Sequence, residues 1–290
     1  MRMDDQGESQ NVEDVRGSSG GFRPVHGIGL GTIVIALIGG WIFGINPLQI
    51  LGLLSGGTSS VQAPATDEPG QPPPPGDPQA KFVSQVLRST EQVWTTAFQE
   101  RGAVYEDPKL RLFSGATETA CGLGEAAAGP FYCPKDRKVY LDMTFFDLMT
   151  QRLGAPGQFA HAYVVAHEVG HHVQNLLGII DRVDAQRARG DEARSNALSV
   201  RLELQADCFA GVWATRSQRE TGWRLENGDI ETALNAASQI GDDTLQRRSR
   251  GVVVPETFTH GTSAQRVSWF KRGVESGQID GCDTFAAATL

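Results

Sequence analysis

The stretch that decides the reading is His167-Glu168-Val169-Gly170-His171, followed along the chain by Glu203-Leu204-Gln205-Ala206-Asp207. Positions four apart on a helix lie about 40 degrees apart around its axis, so His167 and His171 present their imidazoles on one side, one turn apart. That is the geometry two ligands of a single metal ion need. Ala160, Tyr163, Val164, Val165, Ala166, Val169, Val173, Leu176 and Leu177 surround them, and a helix this apolar is predicted to be buried on most sides. Buried imidazoles and a carboxylate need partners or a metal. A random chain with six histidines in 290 residues would show His-Glu-x-x-His on the order of once in a hundred, so accident is the weaker reading. Glu168 is placed to act as general base on a water at the metal. His172 points away from the His167/His171 face and is expected in an outer shell of the site or on the surface.

A tetrahedral catalytic zinc takes three protein ligands and keeps one open position. Glu203 is the expected third ligand. Leu198, Leu202, Ala206, Phe209, Ala210 and Trp213 place it on a second core helix, with Asp207 one turn further on. Asp207 is expected to accept the free N–H of a ligand histidine, which fixes the ring and raises its basicity. On spacing alone, an ordinary solvated Glu/Asp pair would be the favoured reading; the preceding histidine motif reverses that.

Toward the N-terminus, residues 1–26 are polar and charged and are expected to be disordered. Gly27 to Leu54 carries no charge, and Ile28 to Ile45 is an 18-residue apolar run closed by Asn46-Pro47, which predicts a transmembrane helix over 27–46. A cleaved signal peptide would start nearer the terminus, and a core helix would show a polar stripe. Arg2, Arg16 and Arg23 precede the run and no Lys or Arg follows until Lys81. The positive-inside rule therefore places the N-terminus in the cytoplasm and the rest outside the inner membrane. Gly27/Gly31 and Gly40/Gly44 have the spacing of helix contacts in a homo-oligomer, though Gly is common in membrane helices anyway. Residues 47–78, rich in Gly, Ser and Pro, read as a tether. Residues 79–290 form the predicted folded domain. Its first helix carries Phe82, Val86, Val93, Ala97 and Phe98. Lys138 to Asp142 is a predicted strand, offered as a rail for extended substrate. The chain is predominantly helical from Phe159, with breaks at Gly178, at Gly190 and around Gly251 to Pro255.

A net charge of −8 argues against nucleic acid as a partner, since phosphate binding needs clustered Lys and Arg. The short Arg247, Arg248, Arg250 group sits beside Asp242 and Asp243 and reads as a solvated helix face. Cys121, Cys133, Cys208 and Cys282 contain no C-x-x-C pair, so a thiolate zinc site is not expected. In an oxidising compartment Cys121 and Cys133 would close a short loop, and Cys208 and Cys282 would form the second disulfide; other pairings stay open.

His167-Glu168-x-x-His171 with Glu203-x-x-Ala206-Asp207 resembles the glutamate-zincin peptidases. More closely, the chain resembles the bacterial putative neutral zinc metallopeptidase family, in Asn11-Val12-Glu13-Asp14, Gly129-Pro130-Phe131-Tyr132-Cys133-Pro134, Val139-Tyr140-Leu141-Asp142 and Thr259-His260-Gly261-Thr262-Ser263. The resemblance implies an α+β, mainly helical zincin-like fold with a small sheet, one Zn2+ per chain held by His167, His171 and Glu203, and hydrolysis of a peptide or protein substrate. Related membrane proteases carry a late His with an Arg six residues on, which implies oxyanion stabilisation by His260 and an outer-shell place for Arg266. Gly261 stands where those proteases have proline. Thr262 and Gln265 mark a capped helix start. Two other functions fit the same residues: a non-catalytic, zinc-binding membrane adaptor, and a zinc hydrolase of some other bond.

Overall fold

Helix α1 (Pro78–Gln99) starts one residue before the predicted boundary, where the Asp77 carboxylate accepts the backbone N–H groups of Gln79 and Ala80. A computed structural model describes residues 1–2, 7–17, 70–125 and 129–290. The predicted apolar face of α1 is buried, from Phe82 to Phe98. After it come β2 (Lys109–Phe113), the hairpin β3 (Ala116–Thr119) and β4 (Gly122–Glu125), β5 (Phe131–Cys133) and β6 (Lys138–Asp142). The helices that follow are α2 (Thr144–Leu148), α3 (Gln158–Leu176), α4 (Ile179–Arg187), α5 (Glu192–Glu220), α6 (Asp229–Gln239), α7 (Asp242–Arg250) and α8 (Ser263–Ser276). The result is a predominantly helical α+β architecture with small sheets.

The main sheet has the order β1-β2-β6-β5, where β1 is Val12–Asp14. Strands β1, β2 and β6 run parallel, and β5 returns antiparallel along β6. This corrects two expectations. Strand β6 matches its predicted bounds, but it has a hydrogen-bonded neighbour on each side and all five of its residues are buried. An interior strand has no free edge, so it cannot be the rail; among the described residues the edges of this sheet are β1 and β5. The second correction concerns the N-terminal segment. Residues 12–14 are ordered as β1, because backbone pairing to β2 and a buried ion cluster supply what so short and polar a segment cannot supply itself. The last residues assigned to the tether also join the domain, where Gln71 accepts the Asp14 N–H at 2.7 Å.

The predicted membrane helix at 27–46, with most of the tether, lies outside the described residues. Among those residues no helix is long and apolar enough to cross a membrane.

Helices α3 and α5 pack against each other at the centre, with α1 against both and α8 laid along α5. Helix α3 ends at Gly178, whose left-handed φ of 65° terminates it where the sequence predicts a break. The disulfide Cys208–Cys282 ties α5 to the C-terminal segment, and Cys121–Cys133 ties the β3–β4 turn to β5. Their sequence separations of 12 and 74 residues correspond to about 3 and about 4.5 kcal/mol in the chain-entropy account. Urea unfolding of the two double Cys→Ala variants should therefore show both destabilised, with the Cys208/Cys282 variant losing more.

Candidate metal centre

Helices α3 and α5 cross where both lack bulk. A Cβ placed on Gly170 would lie 3.1 Å from the Cα and the carbonyl oxygen of Ala206, so the small residue at each position lets the backbones approach. His167 and His171 flank Gly170 on α3, and Glu203 and Asp207 flank Ala206 on α5. The close crossing thus brings the two motifs face to face. Helix α8 is seated on α5 in the same way: a Cβ on Gly273 would fall 1.9 Å from the Cys208 carbonyl oxygen, and one on Gly211 2.2 Å from that of Phe270. That contact delivers Arg266 to Asp207.

His167 Nε2 lies 3.2 Å from Glu203 Oε2, and His171 Nε2 lies 3.5 Å from Glu203 Oε1. Zinc bonds of about 2.0–2.1 Å at tetrahedral angles put neighbouring donors about 3.3 Å apart, so the spacing fits such an ion. All three donors lie within 4.8 Å of one another. Two imidazoles and one carboxylate suit zinc, whereas calcium and magnesium favour oxygen alone. Three protein donors leave a fourth position for solvent or substrate.

The other ring nitrogens are committed elsewhere. His167 Nδ1 donates to Asp207 Oδ1 at 2.8 Å, and His171 Nδ1 donates to Gln174 Oε1 at 2.8 Å. An ionised carboxylate and an amide oxygen can only accept, so both rings carry a proton on Nδ1 and direct Nε2 toward Glu203, where loss of the Nε2 proton would free a lone pair for a metal. Gln174 is held in turn by its own amide, which donates to the Leu202 carbonyl and to Gln205 Oε1, while Gln205 donates to the Cys282 carbonyl. Asp207 is fully buried. It accepts from the Tyr163 hydroxyl, from His167, and from Nε and Nη2 of Arg266 at 2.8 and 2.9 Å.

Charge follows from this arrangement. Glu168, Glu203 and Asp207 share the pocket with one guanidinium, that of Arg266. Burial would lower the pKa of His167, but the Asp207 carboxylate overrides it and lifts the ion-free imidazole to about 10. His171 is likewise raised against burial, by Glu203. Asp207 moves the other way: burial would raise it, yet Arg266 and His167 bring it down to about 2. A pocket that draws protons onto its histidines while holding Glu203 and Asp207 ionised carries a negative potential that favours positive charge. Glu168 is the exception, since burial raises it and the histidines only partly offset that. Among the described residues, none hydrogen-bonds the Glu168 carboxylate, so it is available to a water or substrate.

His260 stands apart, in the loop before α8, with a half-exposed side chain. Its Nδ1 lies 3.2 Å from Asp242 Oδ1, which leaves Nε2 as the nitrogen able to act on a substrate. The loop rests on the helix that carries Glu203, since a Cβ on Gly261 would meet Val200 and Leu204 at 3.2 and 3.4 Å. Gly261 has φ +89°, a backbone closed to proline, so the departure from the related proteases reflects a differently turned loop. The capping box of Thr262 and Gln265 is present at the start of α8.

Several contributors escaped the sequence reading. Asp242 belongs to no solvated helix face: it is buried, and its Oδ2 accepts the backbone N–H groups of Thr259, His260 and Gly261 at 2.8, 2.6 and 3.0 Å. The only hint was an acidic pair at a helix N-terminus. Tyr163 and Gln174 gave no signal beyond helical spacing from the histidines. His172 is not on the surface, and its partners lie in β5 and in the segment before β2 rather than in the His167, His171 and Glu203 group. It is fully buried, donates from Nε2 to the Glu106 carbonyl and accepts the Tyr132 hydroxyl at 2.9 Å, which fastens β5 to α3.

Replacing Asp207 with Asn should strand the Arg266 charge and loosen His167. The expected result is a loss of about 3–5 kcal/mol in urea unfolding and a zinc affinity weakened about 10–100-fold in chelator competition.

A family model described as "Putative neutral zinc metallopeptidase" matches residues 1–285 of the chain. The uncharacterized protein YpfJ of Escherichia coli K12 is 48% identical over 294 residues, covering 98% of this chain and 99% of that protein. The uncharacterized protein Mb2605 of Mycobacterium bovis is 48% identical over 197 residues, covering 64% of this chain and 65% of that protein. No solved structure matches.

Proposed function

The chain belongs to the putative neutral zinc metallopeptidase family, and on that premise we propose that it is a zinc-dependent metallopeptidase that hydrolyses peptide bonds. The observation that carries this reading is the convergence of His167 Nε2, His171 Nε2 and the Glu203 carboxylate at 3.2 and 3.5 Å beside a buried glutamate. Those three side chains would hold one zinc ion. When bound, such an ion supplies Lewis acidity, acidifying a water and polarising a carbonyl oxygen.

The chain's own residues do the rest. Glu168, raised by burial and facing the histidine pair, takes a proton from the attacking water and returns it to the leaving amine. His260 donates from Nε2 to the oxyanion that forms on the substrate carbonyl. Asp242 positions that ring by holding both its Nδ1 and the backbone around it. Asp207 and Arg266 keep the His167 ring in its tautomer and plane. The apolar run at 27–54 holds the enzyme at a bacterial membrane, and the two disulfides suit an extracytoplasmic domain.

Metal analysis of the purified chain should find one zinc per molecule, and digestion of a broad peptide library should stop on addition of a chelator. Glu168→Gln should retain zinc and lose about 10²–10⁴-fold in kcat; unchanged cleavage by that variant would refute the assignment. His260→Ala should lower kcat by about 10²–10³-fold with zinc content unaltered. Asp242→Ala should lower it in the same direction by less.

A further inference from the structure

The chain passes out of the described domain after Arg16 and Gly17 and re-enters it at Gly70, and the two points adjoin. The Asp14 N–H donates to the Gln71 carbonyl at 2.7 Å. A Cβ on Gly70 would lie 2.8 Å from Glu13 Cβ. The Arg16 guanidinium bridges Asp14 at 2.6 Å and Asp77, the cap of α1, at 2.7 Å.

The N-terminal side of this clasp is built into the domain. The Leu110 N–H donates to the Asn11 carbonyl and the Val15 N–H to the Leu112 carbonyl, both at 2.9 Å. Ser9 and Asn11 donate to the Glu91 carboxylate of α1. Glu13 is buried between Arg111 of β2, at 2.7 Å, and Lys138 of β6, at 3.4 Å. Val12 joins the main hydrophobic core.

This geometry constrains the apolar run between the two points. The hydrocarbon interior of a bilayer is about 30 Å thick, whereas β1 and β2 are one hydrogen bond apart. A single crossing between residues 17 and 70 would put β1 in one compartment and β2 in the other. Two crossings would need about 20 apolar residues each, and the uncharged apolar stretch from Gly27 to Leu54 is too short for both. We propose that this stretch engages the lipid from one face only, without crossing it, and that residues 7–16 share a single aqueous compartment with the catalytic domain. The partner is the hydrocarbon region of one leaflet. This proposal departs from the expected placement of the N-terminus and the domain on opposite sides of the membrane, and under it the flanking arginines do not report which side the domain occupies.

The proposal is independent of catalysis, so a chain inactive in hydrolysis serves equally well for its test. All four cysteines are in disulfides, so one added thiol can be labelled selectively in the full-length chain. Gln10→Cys, at an exposed position, reports the N-terminal segment, and Val104→Cys, at 84% exposure, reports the domain. Spheroplasts expressing either variant are treated with a membrane-impermeant maleimide before and after detergent, with both disulfides verified on a non-reducing gel; Glu8→Cys replaces Gln10→Cys if that variant misfolds. The expected result is parallel behaviour: both positions react before detergent, or neither does. The chain should also stay in the membrane pellet after a high-salt wash and leave it with detergent. Labelling of one position before detergent and of the other only after it would overturn the shared compartment. Recovery of the chain in the salt supernatant would overturn the lipid contact.

Discussion

The carboxylate of Asp207 is the constraint on which the rest of this protein depends. A carboxylate sealed from water costs several kcal/mol unless charges and donors compensate it, and Asp207 has no exposure at all. Three helices meet at it: α5 carries the residue itself, and the compensation comes from Tyr163 and His167 on α3 and from Arg266 on α8. Moving any of the three would strand a charge or a buried polar atom. The site is therefore held by the same interaction that holds the helix core together, and the ring of His167 has one orientation open to it.

Small residues make this arrangement reachable. Gly170 against Ala206, and Gly211 against Gly273, let backbones meet where larger side chains would separate them. Separating α3 from α5 by the width of one methyl group would pull the two ε nitrogens away from Glu203, whose oxygens sit at 3.2 and 3.5 Å. The spacing of His167, His171 and Glu203 and the packing of the helices are one problem here, solved at one crossing point. The Cys208–Cys282 disulfide lies beside it, one residue past Asp207, and Gln205 and Gln174 carry hydrogen bonds from the Cys282 carbonyl to His171.

The small sheet serves a different end. Its interior strands β2 and β6 anchor an N-terminal strand on one flank, through Glu13, Arg111 and Lys138, and on the other flank they carry β5. His172 and Asn175 fasten β5 to α3 through the Tyr132 hydroxyl. The sheet therefore connects the helix of His167 and His171 at one edge with the junction of Asp14 and Gln71 at the other.

Local periodicity was enough to read α1, β6, the capping box at Thr262 and Gln265, and the shared helix faces of His167 with His171 and of Glu203 with Asp207, because each is set by neighbours within one or two turns of the same element. The sequence by itself determined which side chains are chemically able to hold a divalent ion, and that Glu203 and Asp207 share a helix face. Only the tertiary structure decided that Asp242 holds the His260 loop, that His172 braces β5, that β6 is an interior strand, and that residues 12–14 complete the sheet. Each of those depends on groups far apart in the chain that meet through backbone hydrogen bonds or buried charge, and such pairings leave no periodic trace in the residues on either side.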